Sequence, residues 1–232
     1  MGMRFWVGEH TSNGALCPSA PQPEWRPHMG ARFAEFEVQT TQGFLNLKDW
    51  AAGSWVYLFS HPNAFTPVCT SEILALADAT QDFNALNCKI LGITATSVAE
   101  QTAWHEEIED TFDVDIEFPV AEDPMGILAD ALGLVRYADN QTCSIRKSFI
   151  LDPDLRVRMI YEYPEEVGRN TDETLRCITA LQASRSTRLA TPADWKPGDR
   201  FLNARTVSDA ERAAAGPMAQ HLNEYMSLID LS

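Results

Sequence analysis

Between Ser60 and Glu72 the chain reads Ser-His-Pro-Asn-Ala-Phe-Thr-Pro-Val-Cys-Thr-Ser-Glu. An apolar run ends there, two prolines fix a turn, and Cys69 falls where a helix begins. A helix start presents unpaired backbone N–H groups and the positive end of the dipole. Both favour a thiolate over a thiol at Cys69. Thr66, three residues earlier, can turn its hydroxyl toward the same spot and exchange a hydrogen bond with a bound oxygen species. Pro62 can shield the sulfur without offering a competing N–H. The chemistry that such a cup suits is nucleophilic attack by sulfur. A buried structural cysteine at a helix start is the plainer alternative. His61, beside the loop, either tunes proton delivery or caps the end of the strand.

These residues need a scaffold, and the pattern around them supplies one. Phe36 and Val38 alternate with Glu35, Glu37 and Gln39, as in a half-buried strand ending at Thr41-Gln42-Gly43. Trp55 to Phe59 reads as a central strand. A helix is expected over about Thr70–Leu86, with Ile73, Leu76, Ala77 and Phe83 on one face. Lys89–Thr94 reads as a buried strand, 98–111 as an acidic helix, and Phe118–Val120 as a short extended piece. Pro124–Leu132 reads as a helix stopped by Gly133. Lys147–Leu151 and Val157–Tyr163 read as strands joined at Asp152-Pro153-Asp154, followed by a helix over Thr171–Ser184. Strand and helix alternate, then a hairpin and a helix follow, which indicates an α/β sandwich of mixed strand direction. Residues 1–28, with Pro18, Pro21, Pro23 and Pro27, read as an N-terminal extension or irregular arm. Residues 29–189 read as the main domain. Residues 190–232 read as an appended segment with helices at Asp209–Ala215 and near Met218–Leu228.

Composition narrows the classes of function. Of 232 residues, 18 are Lys or Arg and 33 are Asp or Glu, for a net charge of −15. Phosphate backbones and anionic membranes repel such a chain, so neither nucleic acid nor membrane is an expected partner. No apolar run approaches the ~20 residues of a membrane span. The five cysteines, Cys17, Cys69, Cys88, Cys143 and Cys177, are widely spaced, with no CxxC. That pattern argues against a zinc ribbon, a dithiol oxidoreductase and a disulfide-stapled domain, and for a reducing, cytoplasmic location. No secretory signal or myristoylation pattern opens the chain. His105 beside Glu106 and Glu107 lacks a second histidine at ligand spacing, so 98–111 reads as a solvated face and no metal is expected.

Pro62, Thr66 and Cys69 match the P-x-x-x-T-x-x-C signature of peroxiredoxins, and HPNAFTPVCTSE resembles the loop of the one-cysteine, peroxiredoxin-6-type subfamily. Four further segments, in the right order, extend the resemblance over about residues 29–215. They are Met29–Gly43 (with Ala34 where proline is usual), Arg146 before Ser148-Phe149-Ile150, Gly168-Arg169-Asn170, and Thr191–Asp199. The resemblance implies a thioredoxin-like fold with a C-terminal dimerisation arm over 190–232. It also implies a homodimer, standing alone or built into larger rings. The implied activity is reduction of hydrogen peroxide and small organic hydroperoxides through a Cys69 sulfenic acid. Thr66, the Cys69 N–H and Arg146 would stabilise the leaving oxygen. Glu72 would orient an arginine, and Arg169 would support the site.

Resolution of the sulfenic acid follows from the other cysteines. No cysteine lies beyond Cys177, where two-cysteine relatives carry a Val-Cys-Pro motif. Cys88 and Cys177 read as core residues, and Cys17 and Cys143 as loop residues, either of which could act as a nonstandard resolving thiol. The one-cysteine reading therefore calls for no bound cofactor but for an external thiol or other small reductant. Some relatives carry a lipase-like G-x-S-x-G. Here Ala52-Gly53-Ser54-Trp55-Val56 lacks both outer glycines, and Lys48 stands where a histidine is expected, so no phospholipase activity is expected. Two other classes remain open on the sequence: a slow redox sensor, told apart by sustained peroxide turnover, and a holdase chaperone, told apart by its activity in Cys69→Ser.

Overall fold

The computed structural model describes residues 26–138, 141–203, 219–223 and 226–230. The chain divides at Arg169/Asn170 into two compact units.

The first unit is built on a seven-stranded mixed sheet. Its strands are β1 (Glu37–Thr40), β2 (Gly43–Asn46), β3 (Trp55–Ser60), β4 (Cys88–Thr94), β5 (Val120–Glu122), β8 (Arg146–Leu151) and β9 (Val157–Tyr163), in the order β2-β1-β5-β4-β3-β8-β9. β3, β4 and β5 run parallel, and the flanking pairs are antiparallel. A separate hairpin is formed by β6 (Val135–Ala138) and β7 (Gln141–Ser144). Every residue of β3 and β8 is buried, as expected of strands covered on both faces.

The alternation of side chains gives the two faces of these strands different jobs. Val56 and Leu58 of β3, with Phe149 and Leu151 of β8, join Phe33, Leu91 and Val157 in the main apolar core. On the other face Tyr57 stacks with Phe59 at 5.9 Å and with Phe83 at 5.6 Å. That second face carries the site. Gly92 leaves room for the Val120 and Phe59 side chains, because a Cβ there would lie 2.9 Å from Val120 Cγ2 and 3.2 Å from Phe59 Cζ.

The helices differ from expectation in several places. The helix expected over Thr70–Leu86 is two helices, α2 (Pro67–Asp78) and α3 (Thr80–Ala85), because the chain turns at Ala79. It also begins three residues earlier, with Pro67 in the first turn, where its missing N–H costs nothing. The helix expected from Pro124 is α5 (Ile127–Leu132), delayed by Gly126 at φ +67°. α1 (Leu47–Ala51) follows β2 directly, capped by Asn46. The acidic helix is α4 (Val98–Phe112), opened by a reciprocal Ser97–Glu100 capping box.

The second unit contains α6 (Thr171–Thr187), whose N-cap Asn170 accepts from the Glu173 N–H. Trp195, Phe201 and Ala180 form a small apolar cluster, so Phe201 is covered by its own unit. Strands β10 (Phe201–Leu202), β12 (Met226–Ile229) and β11 (Ala219–Asn223) form a three-stranded sheet. The helix expected near Met218–Leu228 is therefore a strand pair, Gln220 opposite Leu228 and Asn223 opposite Met226. Cross-strand pairing overrides a weak local preference there. The helix expected at Asp209–Ala215 lies outside the described residues. No helix among the described residues is long and apolar enough to cross a membrane.

Candidate active site

The site forms where β3 ends. His61 and Pro62 leave the strand buried, and the turn closes through Phe65, which sits in the left-handed region at φ 56°. Thr66 is the N-cap of α2, extended at φ −119°, ψ 143°. Its hydroxyl donates to the Asn63 carbonyl at 3.0 Å, which leaves the oxygen free to accept a further hydrogen bond. Cys69 is the third residue of α2, and its sulfur is fully buried. At that position the Cys69 N–H has no partner within the helix.

Sheet register delivers the arginine. β8 runs antiparallel to β3 with Ser148 opposite Phe59, which carries Arg146 past the end of β3 to the loop. Arg146 Nη1 lies 3.2 Å from Cys69 Sγ and 2.8 Å from Glu72 Oε2, and its Nε donates to the Glu165 carbonyl at 2.7 Å. Glu72, one turn after Cys69, is shared. Arg169 reaches it with its backbone N–H (2.9 Å), Nε (2.9 Å) and Nη2 (2.7 Å). The Arg169 guanidinium also lies 5.1 Å from the centre of the Phe59 ring.

Both arginines and Glu72 are nearly inaccessible. Buried charges need partners, because leaving water costs several kcal/mol per ion. Two guanidinium groups face one carboxylate, and an ionised Cys69 would complete a balanced set of four. Burial opposes the charge on Arg169, but Tyr57, Glu72 and Cys69 outweigh it and raise its pKa above the ordinary value.

His61 lies between Phe59 and Trp104, at ring distances of 6.2 and 5.6 Å. Burial, then the charges of Arg169, His105 and Arg146, push its imidazole down to about 3. The Asn63 backbone lies near enough to oppose that shift, but neither ring nitrogen reaches hydrogen-bond geometry. The ring is therefore neutral at pH 7.

Other candidates fall elsewhere. His105 is not on the solvated face of α4; it turns inward beside Gln101, Trp104 and Ile108, and burial pushes it down to about 4. No cluster of metal-ligating residues occurs among the described residues. Cys88 is buried at the start of β4, where burial pushes its thiol up to about 12 against a weaker pull from the Tyr57 backbone. Cys177 is buried on α6, and its thiol donates to Glu173 at 3.2 Å. Cys143 lies in β7 rather than in a loop, opposite Arg136. Cys17 is outside the described residues. Ser54 is buried, with its hydroxyl donating to Asn87 Oδ1 at 3.1 Å.

Sequence reasoning missed Trp104, Tyr57 and Ser148. The spacing of Gln101, Trp104, His105 and Ile108 could have shown the inward face of α4. Nothing in local spacing could have joined Tyr57 to Ser148. Beside the loop a cleft of about 320 Å³ opens between Phe65, Thr66 and Pro67 on one side and Trp104, Ile108 and Phe112 on the other.

Comparison with known proteins agrees with this geometry. The family model for AhpC/TSA matches residues 29–160, and that for the C-terminal domain of 1-Cys peroxiredoxin matches residues 180–212. The chain is 41% identical over 189 residues to a peroxiredoxin of Archaeoglobus fulgidus, covering 80% of this chain and 87% of that one. It is 42% identical over 195 residues to a peroxiredoxin of Hyperthermus butylicus, covering 82% and 84%. Among solved structures it resembles a yeast mitochondrial 1-Cys peroxiredoxin, described with its thiol resolution via glutathione/thioredoxin systems (TM-score 0.82, 31% identity, 88% of this chain and 99% of that one). It equally resembles a Cys-to-Ser variant of peroxiredoxin 6 of Arenicola marina (TM-score 0.82, 32% identity, 88% and 98%). The fold is thioredoxin-like. The chain belongs to the AhpC/TSA family, as a peroxiredoxin of the one-cysteine type, and is a peroxidase oxidoreductase.

Proposed function

We propose that Cys69 is the nucleophile of this peroxidase and that it reduces hydrogen peroxide and small organic hydroperoxides through a sulfenic acid. The observation that carries the reading is the 3.2 Å approach of the Arg146 guanidinium to a sulfur in the first turn of α2. The thiolate attacks the terminal oxygen of the hydroperoxide. A sulfur–oxygen bond forms, the oxygen–oxygen bond breaks, and the departing oxygen takes a proton to leave as water or an alcohol. Negative charge grows on that departing oxygen. Arg146 and the Cys69 N–H are the donors placed to stabilise it. Thr66, with its own proton committed to Asn63, accepts the hydrogen of the incoming O–OH group. Pro62 lines the loop, and Glu72 and Arg169 hold Arg146 in place. The neutral His61 adds no competing charge.

An external thiol or other small reductant completes the cycle, with no bound cofactor. The similar yeast protein, resolved via glutathione/thioredoxin systems, supports a thiol in that role. Residues 29–189 are taken as the peroxidase domain and 190–232 as the segment that forms a homodimer, with rings as a higher assembly. Cys69, Cys88 and Cys177 are buried and in no disulfide, which favours a reducing, cytoplasmic setting.

Intact mass before and after one equivalent of hydrogen peroxide, beside Cys69→Ser, tests the reading. The expected result is a gain of one oxygen, trapped by a sulfenate reagent and absent in the variant. Loss of two hydrogens in a disulfide at Cys69 would overturn the one-cysteine cycle. The absence of any fast change would overturn the assignment of Cys69.

A further inference from the structure

The hydrogen-bonded chain that reaches Cys69 does not stop at Arg169. Arg169 Nη1 donates to Ser148 Oγ at 3.0 Å, and Ser148 Oγ lies 3.1 Å from Tyr57 Oη. Both residues are buried, Ser148 at 0% and Tyr57 at 2% exposure. Ser148 is opposite Phe59, and Tyr57 is opposite Ile150. The two are therefore diagonal neighbours on one face of β3 and β8, within reach of a long aromatic side chain. An apolar pair would fill such a position without needing partners, whereas a hydroxyl and a phenol must be satisfied.

Resting on the reading that Cys69 is the peroxidase nucleophile, we infer that Ser148 and Tyr57 are positioning residues for it, acting through Arg169, Glu72 and Arg146. The order of contacts carries the inference. Glu72 takes three N–H groups from Arg169 and one from Arg146, so the plane of Arg169 fixes both carboxylate oxygens. Arg146 Nη1 is held between that carboxylate and the sulfur. Arg169 itself is held by Glu72 on one side and on the other by Ser148 at 3.0 Å and, at a longer 3.4 Å, by the Lys147 carbonyl, with Phe59 against its guanidinium. Ser148 can accept from Arg169 and still share a proton with Tyr57. Tyr57 is locked in turn by stacking on Phe59 and Phe83. Removing the Ser148 hydroxyl frees Arg169 to tilt, and the tilt passes through Glu72 to the guanidinium at the sulfur. Neighbouring elements bring Tyr161 of β9 opposite Ser148, and His61, after β3, feels the charges of Arg169 and Arg146.

The test compares Ser148→Ala, Ser148→Thr and Tyr57→Phe with wild type in the full chain. The rate of Cys69 oxidation by hydrogen peroxide and the rate of Cys69 alkylation by iodoacetamide are both followed by peptide mass. Ser148→Ala is expected to slow peroxide oxidation about tenfold, the weight of one hydrogen bond to a charged group. Ser148→Thr, which keeps the hydroxyl, restores the rate to within about twofold. Tyr57→Phe, which leaves the hydroxyl of Ser148 one partner short, slows it about threefold. A purely structural hydroxyl would lower the melting temperature without touching these rates at 25 °C. Unchanged rates in both Ser148→Ala and Tyr57→Phe overturn the inference, as does an equal loss in Ser148→Ala and Ser148→Thr. Alkylation needs no peroxide. If wild-type Cys69 fails to react with peroxide, the functional reading falls, while the effect of the variants on alkylation still decides the positioning role.

Discussion

His61 shows how burial, helped by neighbouring positive charge, keeps a residue neutral beside the Cys69 loop. In the unfolded chain its imidazole titrates at 6.5, and in the fold at about 3. His105 moves the same way, to about 4. Between these values the unfolded chain binds protons that the folded chain refuses. Stability is therefore complete above about pH 6.5 and is lost as the pH falls toward the folded values. Each histidine is expected to remove about 2 kcal/mol between pH 7 and pH 5. Urea unfolding at the two pH values checks this, and His61→Gln should flatten the difference by about that amount; an unchanged slope would remove His61 as a cause. At this scale the sequence was legible where the chemistry is local. Thr66, Pro67 and Cys69 are neighbours in the chain, and a proline before a cysteine already marks a helix start. Arg146 and Arg169 lie 77 and 97 positions from the residues they touch. Spacing could not place them, and only their resemblance to a family did so.

At the scale of elements, the site depends on how tightly the parallel strands pack beneath it. Gly92 of β4 stands opposite Val120 of β5, with the Val120 and Phe59 side chains filling the space a side chain would take. A methyl group there must displace Val120 or Phe59, and Phe59 supports Arg169. Gly92→Ala is expected to destabilise the fold by about 1–3 kcal/mol, the usual cost of overpacking. Adding Val120→Ala should recover part of the loss, so a double-mutant cycle by urea unfolding should give a clear coupling. Additive losses would mean that the strands adjust independently. Long buried strands such as Trp55–Ser60 were evident from their apolar residues. The break at Ala79 was not, because alanine carries no helix-stopping signal. The pairing of β11 with β12 was hidden as well, since a strand of Met226-Ser-Leu-Ile is specified by the strands beside it.

The whole molecule carries a net charge of −15, which acts at a distance that no single contact does. Hydrogen peroxide is neutral, so its reaction with Cys69 should not change between low and moderate salt. An anionic thiol reductant approaches against the field, and its rate should rise severalfold as salt screens the repulsion over about 10 Å at 0.1 M. Stopped-flow rates for each half-reaction at two ionic strengths check this. A peroxide step that responds to salt, or a reductant step that does not, would contradict it. Close to the sulfur a different balance of charge applies. Two buried arginines face the single Glu72 carboxylate, and the thiolate proposed at Cys69 would be the second anion beside them. On the proposed cycle, conversion of that thiolate to a neutral sulfenic acid would leave one positive charge without its counterpart. The oxidised centre would then be a lure for anions: by consuming its own negative charge, the proposed cycle would prepare the place where a reductant's thiolate is most welcome.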